Sequence, residues 1–224
     1  MLGFAVGSLT PLELPGVAII DLDTLAGLPP ALGTEIDEAN AMVDQAASRR
    51  FLARRAAIRL IASSLTGMPP HKVSIRRADD GLLFFEPDLA GLSVSGSSRG
   101  NLCAIGVAHS PIGVDLEVLG QLREIPWNVL HKEEQAELKS VEPERQERAF
   151  LRLWTAKEAH LKAQGVGLAR EPSSFIVRGF SDIEPWRLAV DDPDGPVDDL
   201  TIACNEARLD GRNVVVTAVV IKPV

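Results

Sequence analysis

The chain has 224 residues, of which 46% are hydrophobic and 24% charged, and its formal net charge is −8. This composition is enough for one large hydrophobic core or two modest ones. The negative charge disfavours broad binding to nucleic acid or to an anionic membrane, because a polyanion is repelled except at a local basic patch. No apolar run approaches a membrane span and the N-terminus lacks signal-peptide features, so we expect a cytoplasmic protein.

The sequence pattern in the first half of the chain predicts strands, then a helix, then more strands. One or two strands precede residue 20 and include GVAII. An apolar periodicity predicts a helix that begins near a weak capping pattern at Thr34 and ends at TGMPP, residues 66–70. Three or four short strands follow, separated by turn residues: VSIRR, LLFF, LSVS and LCAIGVA.

The same order returns after GVDLEV, residues 113–118. Helices are predicted around 131–139 and 143–164, the second with Pro143 at a first helical position. Further strands are predicted near residues 174–178, 186–190, 200–204 and 213–221. Helix followed by strands therefore occurs twice.

This repetition predicts an α+β fold of two similar lobes related by pseudo-twofold symmetry. Each lobe would be a helix packed on a small, mainly antiparallel sheet, with lobes at 1–112 and 113–224. Because two lobes are already joined in one chain, we expect a monomer. Cys103 and Cys204 lie far apart in strand-like runs, which favours reduced, buried thiols over a disulfide or a metal site.

The segment FLRLWTAKEAHLKAQGVGL, residues 150–168, places charges in an apolar stripe. At about 100° per residue, Lys157 lies between Leu153 and Leu161, and Glu158 borders the same face. Each charged group would lose several kcal/mol of hydration there unless it is paired or bound to a ligand. A structural ion pair, or a lysine stem that runs along the core, is one explanation. A ligand site is the other.

The strand GVDLEV places its apolar residues on one face and Asp115 and Glu117 on the other, with Cα atoms about 7 Å apart. Taken alone, an acidic solvent face of an edge strand explains this pair. Together with Glu158, however, the pair supplies three oxygen ligands of the kind that Mg²⁺ prefers. Lys157 and Lys162 would then neutralise phosphate charge during transfer.

Two of these motifs, GVDLE (113–117) and WTAKEAHLKAQGVGL (154–168), together resemble those of the 4'-phosphopantetheinyl transferases of the larger, pseudo-twofold, surfactin-synthetase-activating type. RRFLARRAAIR (49–59) resembles the arginine helix of the family, and LHKEEQAEL (130–138) its segment between the motifs. The resemblance implies transfer of the phosphopantetheine arm of coenzyme A to a serine of an acyl or peptidyl carrier protein, with release of adenosine 3',5'-bisphosphate.

The resemblance also implies roles for individual residues. Mg²⁺ on the pyrophosphate would be held by Asp115, Glu117 and Glu158, while Lys157 and Lys162 would stabilise phosphate charge. The base that takes the serine proton would be either the family's glutamate or a water activated by a carboxylate. In this chain that glutamate is Glu134.

Contacts to coenzyme A are expected from two further segments. Arg55 and Arg59, one helical turn apart, match family positions that would contact the nucleotide phosphates. Composition alone equally explains the arginines as a solvated helix face. Ser95 and Ser97 match a serine-histidine-serine turn, but Gly96 stands at the histidine position.

Other departures keep alternatives open. The turn at 79–87 has no lysine where the family has a Gly-Lys-Pro turn, and Asp44 and Ala47 stand where a basic pair is usual. With Gly96, they permit a degenerate paralogue that binds carrier protein or nucleotide without catalysis. A different metal-dependent phosphate enzyme, such as a nuclease, is disfavoured by the negative charge and by the lack of a lysine shortly after Glu117.

Overall fold

The computed structural model describes residues 2–9, 12–78, 82–166, 169–181, 188–194 and 200–222. In these ranges the helices are α1 (Gly33–Asn40), α2 (Gln45–Thr66), α3 (Lys132–Ser140) and α4 (Pro143–Gln164). The strands are β1 (Gly3–Val6), β2 (Gly16–Asp21), β3 (Ile75–Arg77), β4 (Leu83–Phe85), β5 (Ser93–Arg99), β6 (Leu102–Ala108), β7 (Ile112–Val118), β8 (Ile176–Arg178), β9 (Ala189–Asp191), β10 (Leu200–Leu209) and β11 (Arg212–Ile221). In the part of the chain described, no helix has both the length and the apolar character needed to cross a membrane.

The same topology occurs twice along the chain. A strand is followed by a 22-residue helix, a short two-stranded ladder and two antiparallel strands, the last of which returns to pair with the first. The first unit gives the sheet order β1-β2-β6-β5, with β1 added in parallel, and the second gives β10-β11-β7. This repetition confirms the predicted α+β fold of two similar lobes. The second unit begins with β7.

The two sheets pack face to face, with one long helix on each outer side. Alternate residues of β2 point in opposite directions, so Val17 and Ile19 pack toward the second sheet while Ala18 and Ile20 pack toward α2. Helix α4 covers the outer face of the second sheet in the same way. The resulting order of layers is helix, sheet, sheet, helix.

The long helix predicted in the first half is in fact two helices. The break precedes Asp44, whose carboxylate accepts the Ala46 N–H at 2.8 Å and so caps α2. The predicted capping pattern at Thr34 is wrong, because the carboxylate of Glu35 accepts the Leu32 N–H at 3.0 Å instead. The periodicity continues through both helices, which is why it does not reveal the break.

The predicted strands are present, with different ends. Strand β8 is shorter than expected, and residues 186 and 187 of the strand predicted at 186–190 lie outside the described residues. So do residues 79–81 of the turn that lacks a lysine. Cys103 is buried and Cys204 is partly buried, both as free thiols. Burial raises the pKa of Cys204 to about 11, so neither sequence nor structure gives it a reactive role.

Candidate active site between the lobes

Strand β7 lies unusually close to helix α4 because its second residue is a glycine. A Cβ atom at Gly113 would lie 1.8 Å from the carbonyl oxygen of Ala159 and 2.5 Å from the backbone nitrogen of Ala163. The small residues on this face of α4 complete the close approach. It brings the acidic positions of β7 against the helix turn that carries Glu158 and Lys162.

Asp115 is the centre of the resulting cluster. As predicted, it lies on the face of β7 opposite the apolar residues that pack between the sheets. Its Oδ1 accepts hydrogen bonds from Lys162 Nζ at 2.8 Å and from Ser97 Oγ at 2.7 Å. Its Oδ2 is buried and has no hydrogen-bond partner among the described residues. Glu158 Oε1 is also buried and has no hydrogen-bond partner among the described residues.

Glu158 is held in an unfavourable environment for a carboxylate. Burial raises its pKa, and the neighbouring charge of Asp115 raises it further. Lys162 and Arg99 oppose this shift, but the net direction is upward. A bound cation would reverse the balance, because it would favour the charged form of both carboxylates.

Glu117 points into the same region, but its carboxylate is already bound. Arg99 Nε donates to Glu117 Oε2 at 2.7 Å, and Arg99 Nη2 donates to Oε1. Within the described ranges, no three side chains of the types that ligate metals stand close enough to hold an ion. The predicted trio is therefore not gathered around one point in this arrangement. Two orphaned oxygens, of Asp115 and Glu158, nevertheless fit a hard cation, since oxygen ligands of this charge suit Mg²⁺.

Ser95 and Ser97 bind the protein rather than an open site. The two lobes meet here at the edges of their sheets, β5 and β7. Ser95 Oγ accepts the Val114 N–H at 3.0 Å, and Ser97 Oγ donates to Asp115 as described. Both side chains are buried. In this arrangement they fix β7 and the orientation of Asp115, and their contact with coenzyme A stays a prediction.

Lys157 and Glu134 form a buried ion pair at 2.7 Å, away from solvent. Lys157 Nζ also donates to the carbonyl oxygens of Pro172 at 2.8 Å and Phe175 at 2.7 Å. Glu134 Oε1 also accepts the Val177 N–H at 2.7 Å. This contact is the structural ion pair that the sequence offered as one explanation for the charges in the apolar stripe. Neither side chain is exposed to a phosphate or to an incoming serine.

The two arginines predicted to contact nucleotide phosphates are also buried and engaged. Arg59 forms an ion pair with Glu35 of α1 and donates to the Pro30 carbonyl at 3.0 Å. Arg55 lies over the Phe51 ring, and burial lowers its pKa. The structure does not bring either guanidinium to the carboxylate cluster, because each stabilises the packing of α2 on its own lobe.

A cleft of about 420 Å³ opens beside the cluster. It is bounded by strand β4, the start of β5 and the end of α4, and Lys162 lines it together with Phe84 and Gly165. Lys162 is 23% exposed, so it reaches solvent while it holds Asp115. Of the predicted site residues, Lys162 is the cation that joins the carboxylates to an open surface.

The sequence prediction missed several residues that build the site. Arg99 was not singled out, although it stands two residues after Ser97 and therefore on the same face of β5. Thr155, inside the WTAKE motif, shares a 2.7 Å hydroxyl contact with Thr217, which is the strand partner of Asp115. The sequence motif contains Gly113 but does not show that the approach of α4 requires a glycine there. The alternation of side chains along β5 could have predicted the position of Arg99. No sequence pattern predicts the contact between Thr155 and Thr217, because the two residues are distant in the chain.

Comparison with known proteins identifies the family. The family model of the 4'-phosphopantetheinyl transferase superfamily matches residues 111–204, which begin just before β7. The 4'-phosphopantetheinyl transferase HetI of a Nostoc species is 30% identical over 175 residues, covering 71% of this chain and 68% of that protein. The chain belongs to the 4'-phosphopantetheinyl transferase superfamily. Its relatives also include Sfp of Bacillus subtilis, 34% identical over 99 residues and 43% of each chain.

These relatives confirm both the superfamily and the larger, Sfp-like type that the motifs predicted. The chain is thus an enzyme of the 4'-phosphopantetheinyl transferase class. Among solved structures, a holo-(acyl-carrier-protein) synthase from Bacillus anthracis in complex with coenzyme A is 17% identical. It covers 51% of this chain and 97% of its own, with a TM-score of 0.40.

Proposed function

We propose that this protein transfers the 4'-phosphopantetheine arm of coenzyme A to a serine of an acyl or peptidyl carrier protein. One observation carries the proposal. Asp115 and Glu158 each present a buried carboxylate oxygen without a partner among the described residues, beside the partly exposed ammonium of Lys162. A divalent cation would satisfy both of these oxygens, and the cation and Lys162 together would suit a pyrophosphate. The names of the relatives support the same reaction.

Mg²⁺ is the proposed metal, held by Asp115 and Glu158, with Glu117 joining them once Arg99 releases it. When bound, the ion supplies charge stabilisation on the pyrophosphate oxygens. Ser97 keeps Asp115 oriented by donating to the oxygen that Lys162 also binds. The other oxygen of Asp115 stays available for the ion.

In the transfer, the carrier serine oxygen forms a bond to the phosphorus that bears pantetheine. The bond from that phosphorus to the bridging oxygen breaks, and adenosine 3',5'-bisphosphate leaves with the electron pair. Lys162 is placed to bind the charge that develops on the phosphate oxygens, because it lines the open cleft. Lys157 contributes indirectly, since it fixes the helix that carries Glu158 and Lys162.

The serine proton goes to a base. Glu134 is enclosed by Lys157 and by the backbone N–H groups of Val177 and His131, the last at 2.8 Å. We therefore favour the second predicted base, a water activated by a carboxylate of the cluster, because it needs no buried group to open.

We also propose that the protein acts in the cytoplasm as a monomer, on a carrier of secondary metabolism.

The test is direct. The protein is incubated with coenzyme A, Mg²⁺ and a set of apo carrier proteins, and each carrier is weighed by mass spectrometry. The proposal expects a mass gain of one phosphopantetheine group on at least one carrier, which disappears with Asp115→Asn. Glu144→Gln, an exposed change in the first turn of α4, is the matched control and keeps full activity. Absence of the gain on every carrier would overturn the proposal.

The alternative is a paralogue that binds carrier protein or nucleotide without transfer. Gly96 is the observation that favours it, since this family usually has a histidine at that position in contact with the substrate. The same incubation decides between the two. A native protein that binds coenzyme A in equilibrium dialysis but modifies no carrier supports the paralogue.

A further inference from the structure

One face of α4 contacts strands β7 and β11 in two different ways. In the C-terminal half of the helix, Gly113 of β7 lets the backbone approach Ala159 and Ala163 closely. Nearer the middle, the hydroxyl oxygens of Thr155 and Thr217 lie 2.7 Å apart, and both side chains are completely buried. The first contact limits how close the helix and the strand come. The second is directional, because a hydrogen bond requires its donor and acceptor to be aligned.

The threonine pair lies beside the carboxylate cluster. Thr217 is directly opposite Asp115 in the ladder of β7 and β11, so the two side chains share one face of the sheet with Cβ atoms about 5 Å apart. On the helix, Thr155 precedes Glu158 by three residues and Lys162 by seven, a spacing that places all three on one stripe. The pair therefore joins the two elements that present the orphaned oxygens of Asp115 and Glu158.

The other hydrogen bonds of Thr155 define the direction of this contact. Thr155 Oγ1 lies 2.8 Å from the carbonyl oxygen of Leu151 and 3.2 Å from that of Arg152. A carbonyl oxygen can only accept, so the hydroxyl of Thr155 donates to the backbone of its own helix. Its oxygen then accepts the hydrogen bond that Thr217 donates. The strand thus binds a hydroxyl oxygen that is itself held in one orientation on the helix.

A contact of this kind limits the rotation of α4 about its own axis. Side-chain atoms lie about 5 Å from the axis of an α-helix, so a rotation of about 10° moves a carboxylate by about 1 Å. Mg²⁺ binds oxygen ligands at about 2.0–2.1 Å and tolerates little departure from octahedral geometry. A displacement of 1 Å at Glu158, roughly half of that bond length, would therefore prevent it from sharing an ion with Asp115. The van der Waals contact at Gly113 leaves such a rotation possible.

We propose that Thr155 and Thr217 are positioning residues for the metal site, because their hydrogen bond fixes the rotation of α4 at which Glu158 and Asp115 bind one cation. The inference rests on the proposed function for the two ligands, but it concerns metal affinity rather than transfer. Neither threonine touches the ion or the substrate. Loss of a side chain that orients a metal ligand lowers metal affinity by about ten- to a hundredfold. A threonine that only stabilises the fold would leave that affinity unchanged.

The test is the affinity for Mn²⁺ without substrate, measured by electron paramagnetic resonance of the free ion. Thr155→Val keeps nearly the same shape but removes the hydroxyl, and we expect it to weaken Mn²⁺ binding about tenfold. Thr155→Ser retains the hydroxyl and should differ from the parent by less than about twofold. Thr66→Val is the matched control, since Thr66 of α2 makes the same type of bond, at 2.7 Å to the Ala62 carbonyl, in the other lobe. Thermal unfolding checks that each variant is folded.

Thr217→Val removes the same hydrogen bond from the strand side. It should weaken Mn²⁺ binding as much as Thr155→Val does, and the double variant should be no weaker than either single variant, because both act through one contact. If the native protein modifies no carrier but the valine variants lose Mn²⁺ affinity, the proposed function fails and the positioning role stands. Parent-like Mn²⁺ affinity in both folded valine variants would overturn the positioning role and leave the transfer reaction intact.

Discussion

Lys157 Nζ lies 2.7 Å from Glu134 Oε1, and both side chains are completely buried. The ammonium also lies 4.3 Å from the centroid of the Phe175 ring. Burial lowers the pKa of Lys157, and the charge of Glu134 opposes that shift. The pair joins α3, α4 and the segment before β8, so the charges in the apolar stripe of α4 fix the helix that presents Glu158.

The first prediction concerns this pair. Lys157→Met should lower the free energy of unfolding by about 3 kcal/mol, because it leaves a buried carboxylate without its cation. The double variant Lys157→Met with Glu134→Leu should lose less than the sum of the single variants. Urea denaturation measures all three, with exposed Lys132→Met as the control. A Lys157→Met protein of unchanged stability that has lost transfer would instead place Lys157 at the substrate.

The second prediction concerns Glu158. Burial raises its pKa above the ordinary value, so the folded protein holds a proton that the unfolded chain releases at the same pH. This group therefore costs stability as pH rises through its folded pKa. Without metal, Glu158→Gln should be more stable than the parent above that pKa, and the difference should vanish as pH falls to the unfolded value.

The transfer activity of Glu158→Gln should fall although its stability without metal should rise. Glu158→Gln should lower the rate of transfer by about a hundredfold or more at any Mg²⁺ concentration, because a ligand charge is gone. Denaturant unfolding from pH 4 to pH 8 in the presence of a chelator gives the stability curve, and carrier modification gives the rate. A variant that is less stable at high pH would show that the raised pKa is not expressed in the metal-free protein.

The repeat of helix and strands could be predicted because each lobe follows periodicities that are local in sequence. The break between α1 and α2 could not, since one apolar stripe runs through both. For the site, the strand period placed Asp115 and Glu117 on one face correctly. It did not reveal their partners, because those partners are distant in sequence.

Arg59 illustrates this limit. Its position in α2 is compatible with a phosphate contact, but Glu35 lies 24 residues earlier and occupies its guanidinium. Ser97 shows a contact that the pattern did not predict, because its hydroxyl orients Asp115, 18 residues later. The pattern of polar residues in the sequence thus indicated which residues lie near the site. Hydrogen bonds and ion pairs to distant residues decide which of those side chains remain free to bind a ligand.

The third prediction follows from the close approach of β7 to α4. Gly113→Ala should destabilise the protein by about 2 kcal/mol or more, because a methyl group 1.8 Å from the Ala159 carbonyl forces the strand and the helix apart. The same shift separates Asp115 from Glu158, so transfer should fall even in protein that stays folded. Gly33→Ala is the control, since a Cβ there meets nothing within 4 Å, and it should change stability by less than about 0.5 kcal/mol. Thermal unfolding and the transfer rate report the two effects, and equal behaviour of both variants would contradict them.

The fourth prediction concerns Arg99, which holds the carboxylate of Glu117 through two hydrogen bonds. A cation at the cluster competes with this guanidinium for Glu117 and is repelled by its charge. Arg99→Gln should therefore bind Mn²⁺, used as a spectroscopic substitute for Mg²⁺, roughly fivefold more tightly than the parent. Electron paramagnetic resonance of free Mn²⁺ measures this without any turnover.

Arg76→Gln is the matched control for Arg99→Gln. It also breaks an arginine–glutamate pair, formed with Glu86 at 2.7 Å, but that pair is exposed on another part of the first lobe. Its Mn²⁺ affinity should equal that of the parent, which separates a local effect at Glu117 from a change in net charge. Weaker binding by Arg99→Gln would mean that Arg99 orients Glu117 toward the ion rather than withholding it. The carboxylate of Glu117 would then be preorganised for the ion by its arginine.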